Sequence, residues 1–147
     1  MIYYFTGQPG SGKTTLGKLL IEYLKSIQTF HAEYMLIDGD DIRYLFDDKD
    51  YSEAGRRKNI QRAQDIALFI NDQGCNAVIT LVSPYRDLRD DLKSNAPVIE
   101  IYVHTSDIRG RESFHVKDYE PPIKNFIDLD TTNISEKEAL HRIIDLM

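Results

Sequence analysis

Apolar and polar positions along the chain follow two periods in alternation. Ile2 to Phe5 is a short apolar, aromatic-rich run, the pattern of a strand buried on both faces. Leu16, Leu19, Leu20, Tyr23, Leu24 and Ile27 recur at helical spacing, which predicts an amphipathic helix over 13–27. Glu33 to Ile37 predicts a second strand, followed by a short helix capped by Asp40 or Asp41. A longer helix is predicted from the cap Ser52 to about Asn71, with Ile60, Ala63, Ile66, Ala67 and Ile70 as its apolar face and Gly74 as its stop. Ala77 to Val82 is a continuous, largely β-branched run, as a buried parallel strand requires. After Ser83-Pro84-Tyr85-Arg86 a helix runs to about Lys93. Val98 to Val103 predicts the fourth strand and Asn125 to Leu129 the fifth. The closing helix spans 135–146, with Ser135 as cap and Glu138 three residues on.

Strands alternating with helices through short turns imply a parallel sheet covered on both faces. The predicted fold is therefore α/β, a three-layer α/β/α sandwich with a mainly parallel five-stranded sheet in one domain over 1–147. In such sheets ligands sit outside the carboxyl ends of the strands, so the loops after Thr6, Ile37, Val82, Val103 and Leu129 are where chemistry is expected. A composition of 41% hydrophobic and 29% charged residues is that of a soluble globular chain. The net charge of −6 leaves no basic stripe to track nucleic acid. The single cysteine, Cys75, excludes an internal disulfide and a cysteine-rich zinc site, and reads as a buried structural thiol. No apolar run approaches the roughly 20 residues that span a bilayer. Met1-Ile2 leads straight into the first strand with no room for a targeting segment, so a cytoplasmic protein without membrane association is expected.

Candidate chemistry begins where the first strand ends. Gly7-Gln8-Pro9-Gly10-Ser11-Gly12-Lys13-Thr14 fits G-x-x-x-x-G-K-[ST], the phosphate-binding loop. Glycines at 7, 10 and 12 permit backbone angles forbidden to a β-carbon, so successive N–H groups can turn toward an anion. Lys13 supplies an ammonium for the β- and γ-phosphates, Thr14 a hydroxyl for Mg²⁺, and the following helix its positive end. Gly7, Pro9, Gly10, Ser11, Gly12, Lys13, Thr14 and Thr15 are thus the candidate contacts to a nucleoside triphosphate. No N-K-x-D segment follows a strand, which argues against a guanine-reading switch protein. A short chain with a charged loop after its second strand instead fits a small-molecule kinase, in which catalysis is mostly positioning and charge stabilisation. A carboxylate at Asp38, on a strand taken to lie beside the first, would reach the γ-phosphate and serve with Thr14 as a metal ligand; the plainer role is a cap in a solvated turn.

Three further segments carry a resemblance. Asp38-Gly39-Asp40-Asp41-Ile42-Arg43, then Tyr51-Ser52 through Arg56 to Asn59-Ile60-Gln61-Arg62, then Ser83-Pro84-Tyr85-Arg86 with Arg89-Asp90, resemble the D-G-D-x-x-R, F-S-x-x-x-R-x-x-N-I-x-R and I-S-P-Y-R-x-x-R-D motifs of the adenylylsulfate kinase family, in order and at similar spacing. The likeness covers about 1–105 and is traceable through Tyr119-Glu120-Pro121-Pro122 and Asp128 to Thr131. It implies a P-loop fold, ATP and Mg²⁺ as cofactors, a small-molecule nucleotide acceptor, and transfer of the γ-phosphoryl group to a ribose 3′-hydroxyl. Relatives are commonly homodimers. By position, Asp38 would polarise the acceptor hydroxyl or help hold the metal. Asp40 and Arg43 would contact the acceptor, Arg56 and Asn59 would grip its phosphate and ribose, and Val82 and Ser83 would line its pocket. Arg86 and Arg89 read as helix-surface or dipole partners.

The likeness fails after the fourth strand. The family has a long basic lid and a K-x-F-T-G-I segment that stacks on the acceptor adenine; here 105–122 is far shorter and lacks F-T-G-I. Arg109 and Arg111 could neutralise the transferring group, and Phe114 either takes the stacking role or anchors the loop. His104 either contacts a phosphate or is a structural loop histidine. The missing segment opens two alternatives. One is a pyrimidine acceptor, as in 3′-phosphorylation of cytidine diphosphoramidate in capsule biosynthesis. The other is a nucleotide-binding regulatory domain without turnover.

Overall fold

A computed structural model describes residues 1–147. Its elements are β1 (Ile2–Thr6), α1 (Lys13–Ile27), β2 (Tyr34–Asp38), α2 (Gly39–Leu45), α3 (Glu53–Asp72), β3 (Asn76–Thr80), α4 (Arg86–Asn95), β4 (Val98–His104), β5 (Phe126–Asp130) and α5 (Glu136–Leu146), with one 3₁₀ turn at Glu112–Phe114. The strands form one sheet in the order β2-β3-β1-β4-β5, and every pairing is parallel. β1 is buried along its whole length because both faces are covered. On one face Tyr3, Phe5, Val78, Ile101 and Val103 pack against Leu16, Leu20 and Leu24 of α1 and Ala139 and Ile143 of α5. On the other, Ile2, Tyr4 and Ile79 pack against Ile60, Ala63 and Ala67 of α3 and Leu92 of α4. Cys75 is half-buried at the edge of this second core.

Local signals placed the helix starts with one exception. The Ser52 and Ser135 side chains accept from Gly55 N–H and Glu138 N–H, capping α3 and α5 as predicted. The cap of α2 is Asp38, not Asp40 or Asp41, since β2 runs directly into the helix with no intervening turn. Register corrects a second expectation. β3 lies between β1 and β2, so Asp38 is not on the strand beside the phosphate-binding loop. β3 also stops at Thr80, two residues early, and the chain then bends through Ser83 at φ +43°.

Arg89 overturns its reading as a helix-surface residue. It is fully buried, donating from Nε to Glu100 Oε1 (2.7 Å), from Nη1 to the Ser83 carbonyl (2.5 Å) and from Nη2 to the Glu120 carbonyl (2.6 Å). Lys93 pairs with the other Glu100 oxygen. Arg86 Nε donates to the Pro121 carbonyl at 2.8 Å. The two arginines of α4 therefore pin the strap Tyr119–Pro122 across the carboxyl end of the sheet.

Candidate active site

At the carboxyl end of β1 the chain turns through Gly7 at φ +150°, where a β-carbon would lie 2.1 Å from the Val103 carbonyl oxygen, so only glycine fits. α1 then begins at Gly12 with no side-chain cap and no acidic residue in its first turn. Its first N–H groups and positive dipole end are left available to an anion, whereas α2, α3 and α5 spend theirs on side-chain oxygens. Lys13 is buried beneath the loop, its Nζ donating to the Gln8 carbonyl at 2.8 Å and lying 3.5 Å from Ser11 Oγ. Burial pulls the Lys13 ammonium down to about 8, opposed by Asp38 and reinforced by Arg111. Pro9 is half-buried in the loop, and Thr15 is exposed on the first turn of α1.

Asp38 reaches the loop despite the intervening strand. Thr14 Oγ1 donates to Asp38 Oδ2 at 2.5 Å, Thr80 Oγ1 donates to the same oxygen at 2.9 Å, and Asp40 N–H donates to Oδ1 at 3.0 Å. Close approach of α1 to β3 makes this geometry accessible. Gly17 faces Thr80, and a β-carbon there would stand 2.7 Å from Thr80 Cγ2. Thr14 and Asp38 together form a hard-oxygen pair of the kind that suits a small divalent cation.

Beside Asp38 opens a cleft of about 620 Å³ lined by Asp40, Arg43, Tyr44, Asp48, Lys49 and Tyr51, with Asp47 at its rim. Arg43 lies over the Tyr51 ring (4.0 Å) and donates to the Asp50 carbonyl (3.0 Å), so its orientation is set before any ligand enters. Asn59 is buried with Nδ2 3.5 Å from the Gly39 carbonyl, and its Oδ1 has no partner. A buried amide oxygen without a donor costs free energy. Arg56, one helical turn earlier, is half-buried and unpaired, unlike its neighbours Arg57 and Arg62, which hold Asp87 and Asp48.

Three expected contacts lie elsewhere. The Ser83 side chain is buried and bonded to the Tyr4 hydroxyl (2.7 Å), while its carbonyl is taken by Arg89, so it presents nothing to a pocket. The Val82 carbonyl accepts from Thr6 Oγ1 (2.8 Å) and serves to join β3 to the start of the loop. Phe114 is 64% exposed, packs under the Arg111 guanidinium and lines neither the acceptor-side cleft nor the smaller cavity beneath the loop. The cut-down lid folds over the phosphate-binding loop itself. A β-carbon at Gly10 would be 2.9 Å from Arg111 Cβ, and Arg109 Nη1 lies beside Gly12 while its Nη2 is tied to Thr131.

Residues to which no motif assigns a role hold this lid. Gln8 pairs with Val116 twice, donating from Nε2 to its carbonyl and accepting from its N–H, both at 2.8 Å. Thr6 Oγ1 and Tyr119 Oη are 2.6 Å apart, and Tyr119 stacks on Tyr102, which stacks on His104. Burial pushes the Tyr119 phenol up, so it keeps its proton and donates to Thr6, whose own proton goes to Val82. His104 pairs with Asp128 on β5 (2.9 Å), which favours its structural reading.

A doubly wound parallel sheet with a G-x-x-x-x-G-K-[ST] loop, a free helix amino end behind it and a carboxylate on the loop threonine defines a P-loop nucleotide-binding protein. The chain belongs to the adenylylsulphate kinase family, whose sequence model matches residues 1–130. It is 32% identical over 138 residues to the adenylyl-sulfate kinase of Vibrio cholerae serotype O1, covering 88% of this chain and 63% of that protein. It is also 32% identical over 155 residues to that of Geotalea uraniireducens (strain Rf4), covering 99% and 72%. The chain thus spans less than two thirds of the length of the Vibrio relative, and of the Yersinia pestis one, of which it covers 64%. The fold superposes on the Mycobacterium tuberculosis APS kinase CysC in complex with AMPPNP and APS with a TM-score of 0.81 at 24% identity, covering 99% of this chain and 95% of that one. No helix is long and apolar enough to cross a membrane.

Proposed function

We propose that this protein is an ATP-dependent kinase that transfers the γ-phosphoryl group to a ribose 3′-hydroxyl of a small nucleotide, with adenylylsulfate as the first acceptor to test. One observation carries the reading: the Asp38 carboxylate stands 2.5 Å from the Thr14 hydroxyl of the phosphate-binding loop, and the helix it caps leads directly into the cleft lined by Asp40 and Arg43. In this scheme the amino end of α1 and Lys13 cradle the triphosphate, and Thr14 with Asp38 hold Mg²⁺. The ion would offset phosphate charge and orient the terminal phosphoryl group. Asp38 accepts a hydrogen bond from the acceptor hydroxyl and withdraws its proton as the oxygen attacks. Arg109 and Arg111 lie over Gly12 and Gly10, where they face charge on the migrating group. Arg43, on the cleft wall, and Arg56 and Asn59, one turn apart on α3, orient the acceptor.

A pyrimidine acceptor is the second reading, favoured by Phe114: this ring of the shortened lid rests on Arg111 and away from the cleft. The test is ADP release with adenylylsulfate, cytidine diphosphoramidate and other cytidine diphosphate derivatives supplied in turn. Lys13→Ala is expected to weaken both ATP binding and turnover. Asp38→Asn should spare ATP binding and cut transfer by on the order of 10²–10⁴. Tight ATP binding with no acceptor-dependent ADP from any of them would return the protein to a nucleotide-binding regulator.

A further inference from the structure

Asp38 is held from a side that no motif predicts. Thr80 is its direct cross-strand partner in the β2–β3 register, so the two side chains project to the same face of the sheet. Thr80 is 3% exposed, and its hydroxyl has a single partner, Asp38 Oδ2 at 2.9 Å. A buried position on an inner strand of a sheet is filled as well by valine, which occupies the same volume without a polar group to satisfy. The hydroxyl is therefore present for the carboxylate. The opposite oxygen is fixed by Asp40 N–H, so β3 and the first turn of α2 together set the plane of the carboxyl group. Thr14 adds a third contact, but it belongs to the loop that must also engage a nucleotide and its cation. Thr80 is free of that duty.

We propose that Thr80 is a positioning residue that aims the Asp38 carboxylate at the acceptor hydroxyl. Gly17 is its structural counterpart on α1, because any side chain there would press on the Thr80 methyl group. The proposal rests on the kinase reading of Asp38, and the experiment separates the two. Wild-type, Thr80→Val, Thr80→Ser and Asp38→Asn proteins are compared for melting temperature, ATP affinity, and kcat and KM with adenylylsulfate and with cytidine diphosphoramidate. Thr80→Val removes the donor at constant volume and should lower kcat by on the order of 10–100-fold, the scale of a small misplacement of a reacting group. KM for ATP should stay within about twofold, since no ground-state contact to the triphosphate is lost. Thr80→Ser keeps the hydroxyl and should recover most of the rate. A folded Thr80→Val with wild-type kcat, or Val and Ser variants equally impaired, overturns the proposal while leaving Asp38 in place. An undiminished Asp38→Asn, or no acceptor-dependent ADP from the wild-type chain, overturns the kinase reading and this proposal with it. Where Thr80→Val does not fold, Thr80→Ala, which also lacks the donor, takes its place with the same two outcomes.

Discussion

Replacing Arg89 with methionine removes three charge-assisted donors at once from a fully buried site. The methionine fills much of the guanidinium stem, so the loss is mainly electrostatic. Glu100, 1% exposed, keeps Lys93, but the Ser83 and Glu120 carbonyls lose their partner. Breaking one side of a buried ion pair costs roughly 3–5 kcal/mol when the remaining charge is left unpaired, and the lower end applies here because Lys93 still offsets part of the Glu100 charge. For a chain of this size each kcal/mol moves the melting temperature by about 2–4 °C, so Arg89→Met should melt on the order of 10 °C lower. The double variant Arg89→Met/Glu100→Leu removes the stranded carboxylate as well, leaving Lys93 with Asp90 at 3.1 Å. It should regain a large part of the loss, because apolar pairs of matching volume often replace buried ion pairs without cost. Thermal unfolding followed by circular dichroism measures both. An Arg89→Met protein melting within about 2 °C of wild type would refute the reasoning, since the network would then contribute almost nothing. A double variant no better than the single would move the cost from the stranded charge to the two orphaned carbonyls.

Further expectations concern the loop. The Lys13 ammonium is lowered to about 8 from 10.5, so between those values the unfolded chain holds a proton that the folded one lacks. Lys13 burial therefore opposes folding below about pH 8, and that penalty fades as pH rises through the window. A bound triphosphate favours the charged form, so binding should take up close to one proton near pH 9 and almost none near pH 6.5. Calorimetry in buffers of different ionisation enthalpy reads this directly, and equal uptake at both pH values would contradict it. Gln8→Ala deletes both contacts to Val116. At about 1 kcal/mol each, their loss should speed amide exchange at Val116 by about 30-fold, leaving β1 and β3 unaffected. Unchanged exchange at Val116 would show that the lid is held by Tyr119 and the arginines alone.

Much of this molecule was legible one stretch at a time. The sequence alone determined the phosphate-binding loop, because glycines at fixed offsets followed by Lys13 and Thr14 act through backbone angles local to that segment. It also determined the alternation of strand and helix and the caps Ser52 and Ser135, which depend on neighbours within a single turn. Asp38 was legible as a residue but not in its surroundings. Only the tertiary structure put β3 between β1 and β2 and made Thr80 a neighbour of Asp38. Arg89 and Glu100 sit on elements with their own unremarkable patterns, and nothing in either marks the buried pair they form. Ser83 turned inward and Phe114 lay down on Arg111 for the same reason. Strand order, burial of a charge and the resting place of a lid are set by contacts between segments far apart along the chain. Local periodicity carries no record of such contacts, because their free energy exists only once the sheet has assembled.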